Sequence, residues 1–492
     1  MPLRLLAALI VVVLAACAPI STPAQSAPAA TQPAAAATLE PAGPDVYNLT
    51  LDQLKAQSQV QNFAVLGHSY FPGAHLVSGF RGAGLNTPRV YKGIAYLAGY
   101  PPTLFGVIIA DVHDPANMKQ LAFIPANPGT RTAYLRVNPA KSILVIGYDA
   151  NAANPNPAVG PAKGGWAFWD VKDPANPAKL GEFVAPGGST HGFEIDDRYL
   201  YGCASTTETK KPVGTAQSLT VVDYADPKSP AQVSVFHIPG QFEGETYAGD
   251  DQKNPDGTNQ IIQCHEVNKD GNRLWVAWRD AGILELDASD PKALKQMGRF
   301  DYVPPFNGGA LGAAHTAAVV PHTGANASLI VTNDEIFACP AGLDRVVDVS
   351  DPTRMTVLST VRIPEVDDKF DAATGKFVCP PGQQSAHQPY FPPYGNGSLF
   401  FQAWYGQGLR AFDISNPHQP KEVGRFLSPD YLRPPSLNTS PYADSALARH
   451  TREVFVDPDT NLLYLTDGNG GGLTVLRYTG PIPERAPIPG VR

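Results

Sequence analysis

The sequence predicts an all-β fold, a seven-bladed β-propeller of four-stranded antiparallel blades, and three observations carry that prediction. One phrase recurs along the chain: a strand of alternating apolar residues, then Asp, an apolar residue, two more residues and Pro. Strand-like runs precede and follow each copy. The last copy has no strand after it, while an unclaimed strand-like run stands ahead of the first.

In chain order, residues 1–17 read as a secretory leader. Arg4 supplies a positive start, Leu5 to Ala16 is unbroken apolar sequence, and Leu14-Ala15-Ala16-Cys17 is similar to the lipobox of bacterial lipoproteins. The apolar run is short of the roughly 20 residues needed to span a bilayer. That resemblance implies lipidation at Cys17 and an extracytoplasmic protein held to a bacterial membrane by its lipid. In a two-membrane cell this is the outer membrane, because residue 18 is Ala rather than Asp; in a one-membrane cell it is the outer face. Residues 18–45 are Ala- and Pro-rich with few large apolar side chains, and read as a tether without a core. Residues 46–492 read as the propeller.

The phrase stands as GVIIADVHDP (106–115), WAFWDVKDP (166–174), LTVVDYADP (219–227), ILELDASDP (283–291), RVVDVSDP (345–352) and LRAFDISNP (409–417). The aspartates Asp111, Asp170, Asp223, Asp287, Asp348 and Asp413 are 59, 53, 64, 61 and 65 residues apart. GLTVLRY (472–478) continues the series with Arg477 in place of Asp. Runs such as RLWVAW (273–278) precede the phrase and KQMGRF (295–300) follows it. Four short strands in about sixty residues is the period of a propeller blade. The Asp accepts turn N–H groups and the Pro fixes φ, so these aspartates are architectural. TGPIPERAPIPGVR after Tyr478 is too Pro-rich for a central strand. Residues 60–70 are therefore expected to supply the missing outer strand of the seventh blade.

FDISNPHQPKEVGRF (412–426) and VVDVSDP (346–352) resemble the LVIVD repeat of bacterial and archaeal surface proteins. The resemblance spans about residues 60–478. It implies the repeat and the propeller fold, and little about activity.

Strand order sorts the loops onto two faces. The short turns at 269–272, 394–397 and 457–460 share one face; the long loops 149–165, 204–217, 239–263, 301–313, 363–385 and 427–448 share the other. Long loops on a rigid scaffold are where binding usually sits. His191, His265, His315, His387 and His450 stand at the start of the innermost strand of blades three to seven. Five imidazoles are thus expected around the long-loop mouth of the channel, a candidate site for a metal (copper, zinc or iron) or an anion. Asp280 and Glu335, at the ends of second strands, are further candidate ligands. Glu266, adjacent to His265, is expected to point away from it by strand alternation. The four remaining cysteines are expected to pair as Cys203–Cys264 and Cys339–Cys379, which links neighbouring blades on the long-loop face.

The formal net charge of −8 and the lack of a basic cluster exclude nucleic acid as a partner. No phosphate loop, zincin pair, CxxC or serine elbow is present. The expected function is a surface-tethered, monomeric propeller that binds a ligand or protein partner through its His-rich face. The alternative is a metal-dependent enzyme with its metal at the same mouth. Selenium-binding proteins, which include copper-dependent thiol oxidases, are a fold-level precedent for it.

Overall fold

The short alternating runs form antiparallel strands in the computed structural model, which describes residues 49–78, 80–151, 154, 163–206, 217–242, 245, 260–301, 314–321, 328–336, 341–366, 369–374, 376–378, 384–429 and 450–484. The chain is an all-β β-propeller. Leu85–Tyr91, Ile94–Gly99, Gly106–Asp111 and Lys119–Pro125 make one four-stranded sheet, with strands A to D running outward in chain order. The same order holds for the sheet Thr130–Asn138 to Ala178–Val184, for Thr190–Ile195 to Ala231–Phe236, and for Ile262–Asp270 to Lys295–Phe300. It holds again for Ala314–Val319 to Thr356–Val361 and for Ala386–Tyr390 to Lys421–Leu427. The final sheet takes Thr451–Val456, Leu463–Asp467 and Gly472–Tyr478 from the C-terminal part of the chain, and its outer strand, Phe63–Ser69, from the N-terminal part.

The closing strand stands where the sequence places it. The residues just before it do something else: Gln59–Gln61 adds a fifth strand to the preceding sheet, alongside Lys421–Leu427. Asn62, at φ +59°, turns the chain between the two. Ahead of these lies a single helical element that the sequence did not announce, Leu51–Gln57. Thr50 caps it by accepting from the Gln53 amide, and the Gln53 side chain accepts from the Thr50 amide. Leu54 anchors it in the core beside Phe63 and Phe401.

The repeated aspartates are turn-formers. Each accepts the backbone N–H two residues on, at 2.8–3.0 Å, from His113, Lys172, Ala225, Ser289, Ser350 and Ser415 respectively. The prolines that follow are docking points for the outer strand of the neighbouring sheet. Gly181 and Gly298 lie so close to the Pro227 and Pro352 carbonyls that a Cβ would overlap them. Ser234 and Ser359 donate their hydroxyls to the Pro291 and Pro417 carbonyls. Gly67 on the closing strand approaches the Pro115 carbonyl in the same way, so the last sheet docks on the first as any sheet docks on the next.

The core is a series of apolar seams between successive sheets. Tyr96, Ile109, Leu144 and Ile146 join the first two sheets. Leu462, Tyr464, Leu473 and Val475 pack on Leu85, Val90 and Leu97, joining the last sheet to the first. Each fully buried Leu, Ile or Val contributes about 1.5–3 kcal/mol. Cys203 and Cys264 form the expected disulfide, with Cα atoms 5.3 Å apart, from strand B of one sheet to strand A of the next. Cys17, the leader, the 18–45 tether, Cys339 and Cys379 lie outside the described residues.

Candidate functional site

Every A strand carries a β-bulge near its start, and these bulges build the site. The register slips between Thr190 and Phe193, Ile262 and Glu266, Ala314 and Thr316, Ala386 and Gln388, and Thr451 and Val454. A bulge sets two residues against one on the partner strand and breaks the strict alternation of faces. This corrects the expectation for Glu266. It does not point away from its neighbour; it lies with His265 and His315 in one buried group.

Register also separates the five histidines. Phe193, Val267, Ala317, Pro389 and Val454 each pair with the equivalent residue of strand B, namely Gly202, Val276, Thr332, Gln402 and Leu465. Counting back two residues gives His191, His265, His315, His387 and Arg452. His450 therefore stands ahead of the shared position, which Arg452 occupies. The same count from Pro88, which pairs with Leu97, gives Asn86.

Four rings follow one another around the channel. The centroids of His191 and His265, His265 and His315, and His315 and His387 are each 4.4 Å apart. The arc continues through Tyr405, 4.7 Å from His387, to His450, stacked at 4.6 Å, and Tyr100. His265, His315 and His387 are buried, and His191 is partly exposed.

The hydrogen bonds assign the tautomers. His265 Nδ1 lies 3.1 Å from the His315 carbonyl, and His387 Nδ1 bonds to the Arg452 carbonyl. Carbonyls only accept, so both Nδ1 atoms carry the proton. His315 Nδ1 meets Thr316 Oγ1 at 2.7 Å, and that hydroxyl donates to Glu266 at 2.8 Å, so His315 is also protonated at Nδ1. All three Nε2 atoms keep a lone pair. His387 Nε2 is buried with no hydrogen-bond partner among the described residues. His315 Nε2 is 3.7 Å from Glu335 Oε2.

Electrostatics favour the neutral ring. Burial, aided by the Arg279 guanidinium and, for His315 and His387, by Arg452, holds the pKa of His265, His315 and His387 well below the usual 6.5. Burial works against ionisation of Glu335, but Arg279 at 2.9 Å, with the Arg452 charge farther off, holds its carboxyl below the usual range. The Tyr405 hydroxyl, kept protonated by burial, donates to the other oxygen of Glu335 at 2.5 Å. Glu266 is different. Burial raises it to about 7 against the pull of Arg136, and it accepts from Thr316 and, at 2.7 Å, from Gln388.

Two groups have ligand atoms within 4.8 Å of one another: His265, Glu266 and His315, and His315, Glu335 and His387. Of the weaker candidates, Glu335 is brought in. Asp280 belongs to neither group; its carboxylate accepts the Ile261 amide at 2.6 Å and shapes a turn. His191 also falls outside both, and sits 3.5 Å from Asp149, which Arg131 holds at 2.8 Å.

Sequence reading missed Tyr100, Arg279 and Tyr405 at this site. All three stand six residues after the strand B residue that pairs with the turn aspartate: Ile94, Arg273 and Leu399 face Asp111, Asp287 and Asp413. Glu335 and Asp149 hold the same place relative to Leu329 and Ile143. The repeat register was the available signal, because the residue types at this position do not repeat.

The LVIVD repeat matches residues 341–362 and 403–428. Among solved structures, the chain is similar to the periplasmic gluconolactonase PpgL of Pseudomonas aeruginosa, with 12% identity, a TM-score of 0.49, and 86% of this chain and 98% of that one covered. It is also similar to the Cps50 (Swd1) β-propeller domain of Myceliophteria thermophila, with 11% identity, a TM-score of 0.48, and 82% and 98% covered. No curated protein matches it in sequence.

Proposed function

We propose that this chain, an LVIVD-repeat β-propeller, is a seven-bladed ring that holds a transition-metal ion at the mouth of its channel and binds a ligand there, tethered outside the cell by a lipid on Cys17. The blade count is supported by the docking of Gly67 on Pro115 and by the seam between the last sheet and the first. The metal reading is carried by one observation: three neutral imidazoles whose Nδ1–H groups are held within the protein, leaving every Nε2 as a donor to an ion. A ring N–H held by a carbonyl is the usual outer support of a metal-binding histidine. The set is His315, His387 and Glu335, with His265 the next ring along the arc. Imidazole with a carboxylate suits zinc, copper or iron, so a ligand or substrate at the mouth would meet a Lewis-acidic or redox-active centre.

The test is elemental analysis of protein exported to the periplasm. About one transition-metal ion per chain is expected. Exchanging His315 and His387 together for Ala should remove it while leaving the fold intact by circular dichroism. Metal-free exported protein that also fails to take up zinc or copper on titration would overturn the metal reading.

A further inference from the structure

Arg452, which takes the place of a histidine in the ring, is a buried cation without an anion. It is 8% exposed. Its Nε donates to Asn86 Oδ1 at 3.0 Å and one terminal nitrogen donates to the Tyr405 hydroxyl at 2.9 Å. Its guanidinium lies 4.4 Å from the Tyr100 ring centre. Among the described residues no carboxylate lies within 4.0 Å of it, and its second terminal nitrogen has no hydrogen-bond partner.

The other guanidiniums at the mouth are matched. Arg279 is paired with Glu335 and Arg131 with Asp149. Arg131 reaches Asp149 through Nε and one terminal nitrogen, leaving its other terminal nitrogen without a partner among the described residues, on a side chain a quarter exposed. Thr132, next to Arg131, donates to the carbonyl of Gly99 at 2.9 Å and so sets Arg131 beside Tyr100, the ring that Arg452 covers; the two guanidinium charges oppose each other there. Glu266 is held by Thr316 and Gln388. With the imidazoles neutral and the Glu266 carboxyl pushed toward neutrality by burial, Arg452 has no carboxylate in contact with it among the described residues. A buried charge left uncompensated is costly, and a planar guanidinium with a free arm is suited to an oxyanion.

We propose that Arg452 and Arg131 form an oxyanion subsite beside the histidine arc, so that the ligand of this propeller is a small carboxylate or phosphate. The proposal rests on the reading of this mouth as the ligand site, and is independent of the metal.

Calorimetry on the full chain, treated with chelator, tests it with acetate, inorganic phosphate and neutral glycerol as probes. One oxyanion per chain is expected, and glycerol should not bind. Binding of acetate alone identifies a carboxylate ligand; binding of phosphate alone identifies a phosphate ligand. Arg452→Gln and Arg131→Gln should each weaken the oxyanion about tenfold or more, the equivalent of one charge-assisted contact. Arg131→Gln keeps the test valid if the buried Arg452 variant does not fold. Zinc uptake measured without anion should be unchanged in Arg131→Gln. The proposal is overturned if neither anion binds at millimolar concentration, if glycerol binds as well, or if a folded variant binds as the parent does. Failure of the parent chain to take up zinc, with oxyanion binding intact, overturns the metal reading alone.

Discussion

A single buried imidazole carries its own pH dependence, on an outer strand as much as at the channel mouth. His68 is buried beside Thr474, and burial lowers its pKa to about 4; His265, His315 and His387 are likewise lowered. The unfolded chain binds these protons near pH 6.5 and the folded chain does not. Each histidine therefore contributes stability that is present above 6.5 and lost as pH falls toward its folded value, at about 1.4 kcal/mol per pH unit. Glu266 opposes them: with its pKa raised to about 7, it contributes stability below 4.5 that fades as pH rises through 7. Four imidazoles outweigh one carboxylate. The urea midpoint of metal-free protein should fall steeply from pH 6.5 to 5.5 and change little from 7.5 to 6.5; a flat profile below 6.5 would show that these rings are already charged. Residue identity was only partly readable beforehand. His191, His265, His315 and His387 were visible because a repeated residue marks a repeated place. His450 was misread because RHTREV resembles AHTAAV, and only the bulge register shows that Arg452, not His450, fills the ring position.

Strands and turns were the most legible level, since alternation and the Asp–Pro phrase report local geometry. The bulges were not, because a one-residue slip leaves no mark in composition, and it is the slip that brings Glu266 in with His265. The closing strand was inferred from a missing partner, Gly472–Tyr478 having no strand after it. Its interface yields a sharp expectation. An ideal Cβ on Gly67 would lie 1.7 Å from the Pro115 carbonyl oxygen, so any larger side chain must push the closing strand off the neighbouring sheet. Gly67→Val should cost about 1–3 kcal/mol, the range for overpacking, in urea unfolding. The same change at Gly271, where a Cβ meets nothing within 4 Å, tests backbone conformation alone because its φ is +56°. Equal losses at both sites would mean that the contact with Pro115 is not what holds the strand.

At the scale of the whole molecule, the two ends of the described chain share one sheet. Removing residues 46–72 takes away the helix, the added fifth strand and the closing strand together, and opens the seam on both sides. Removing 20–44 touches none of these. The first truncation should lower the melting temperature by many degrees and the second should leave it nearly unchanged; equal effects would contradict ring closure. The same closure sets an order of events during synthesis. His68 and Thr474 meet across 406 residues of chain. At about 5–20 residues per second, a ribosome needs roughly 20–80 s to make the partner of a strand it has already released. Through that interval the earliest strand has a bare edge, the kind of surface that pairs with a stranger. A chain built this way depends on whatever shelters its beginning until its end arrives.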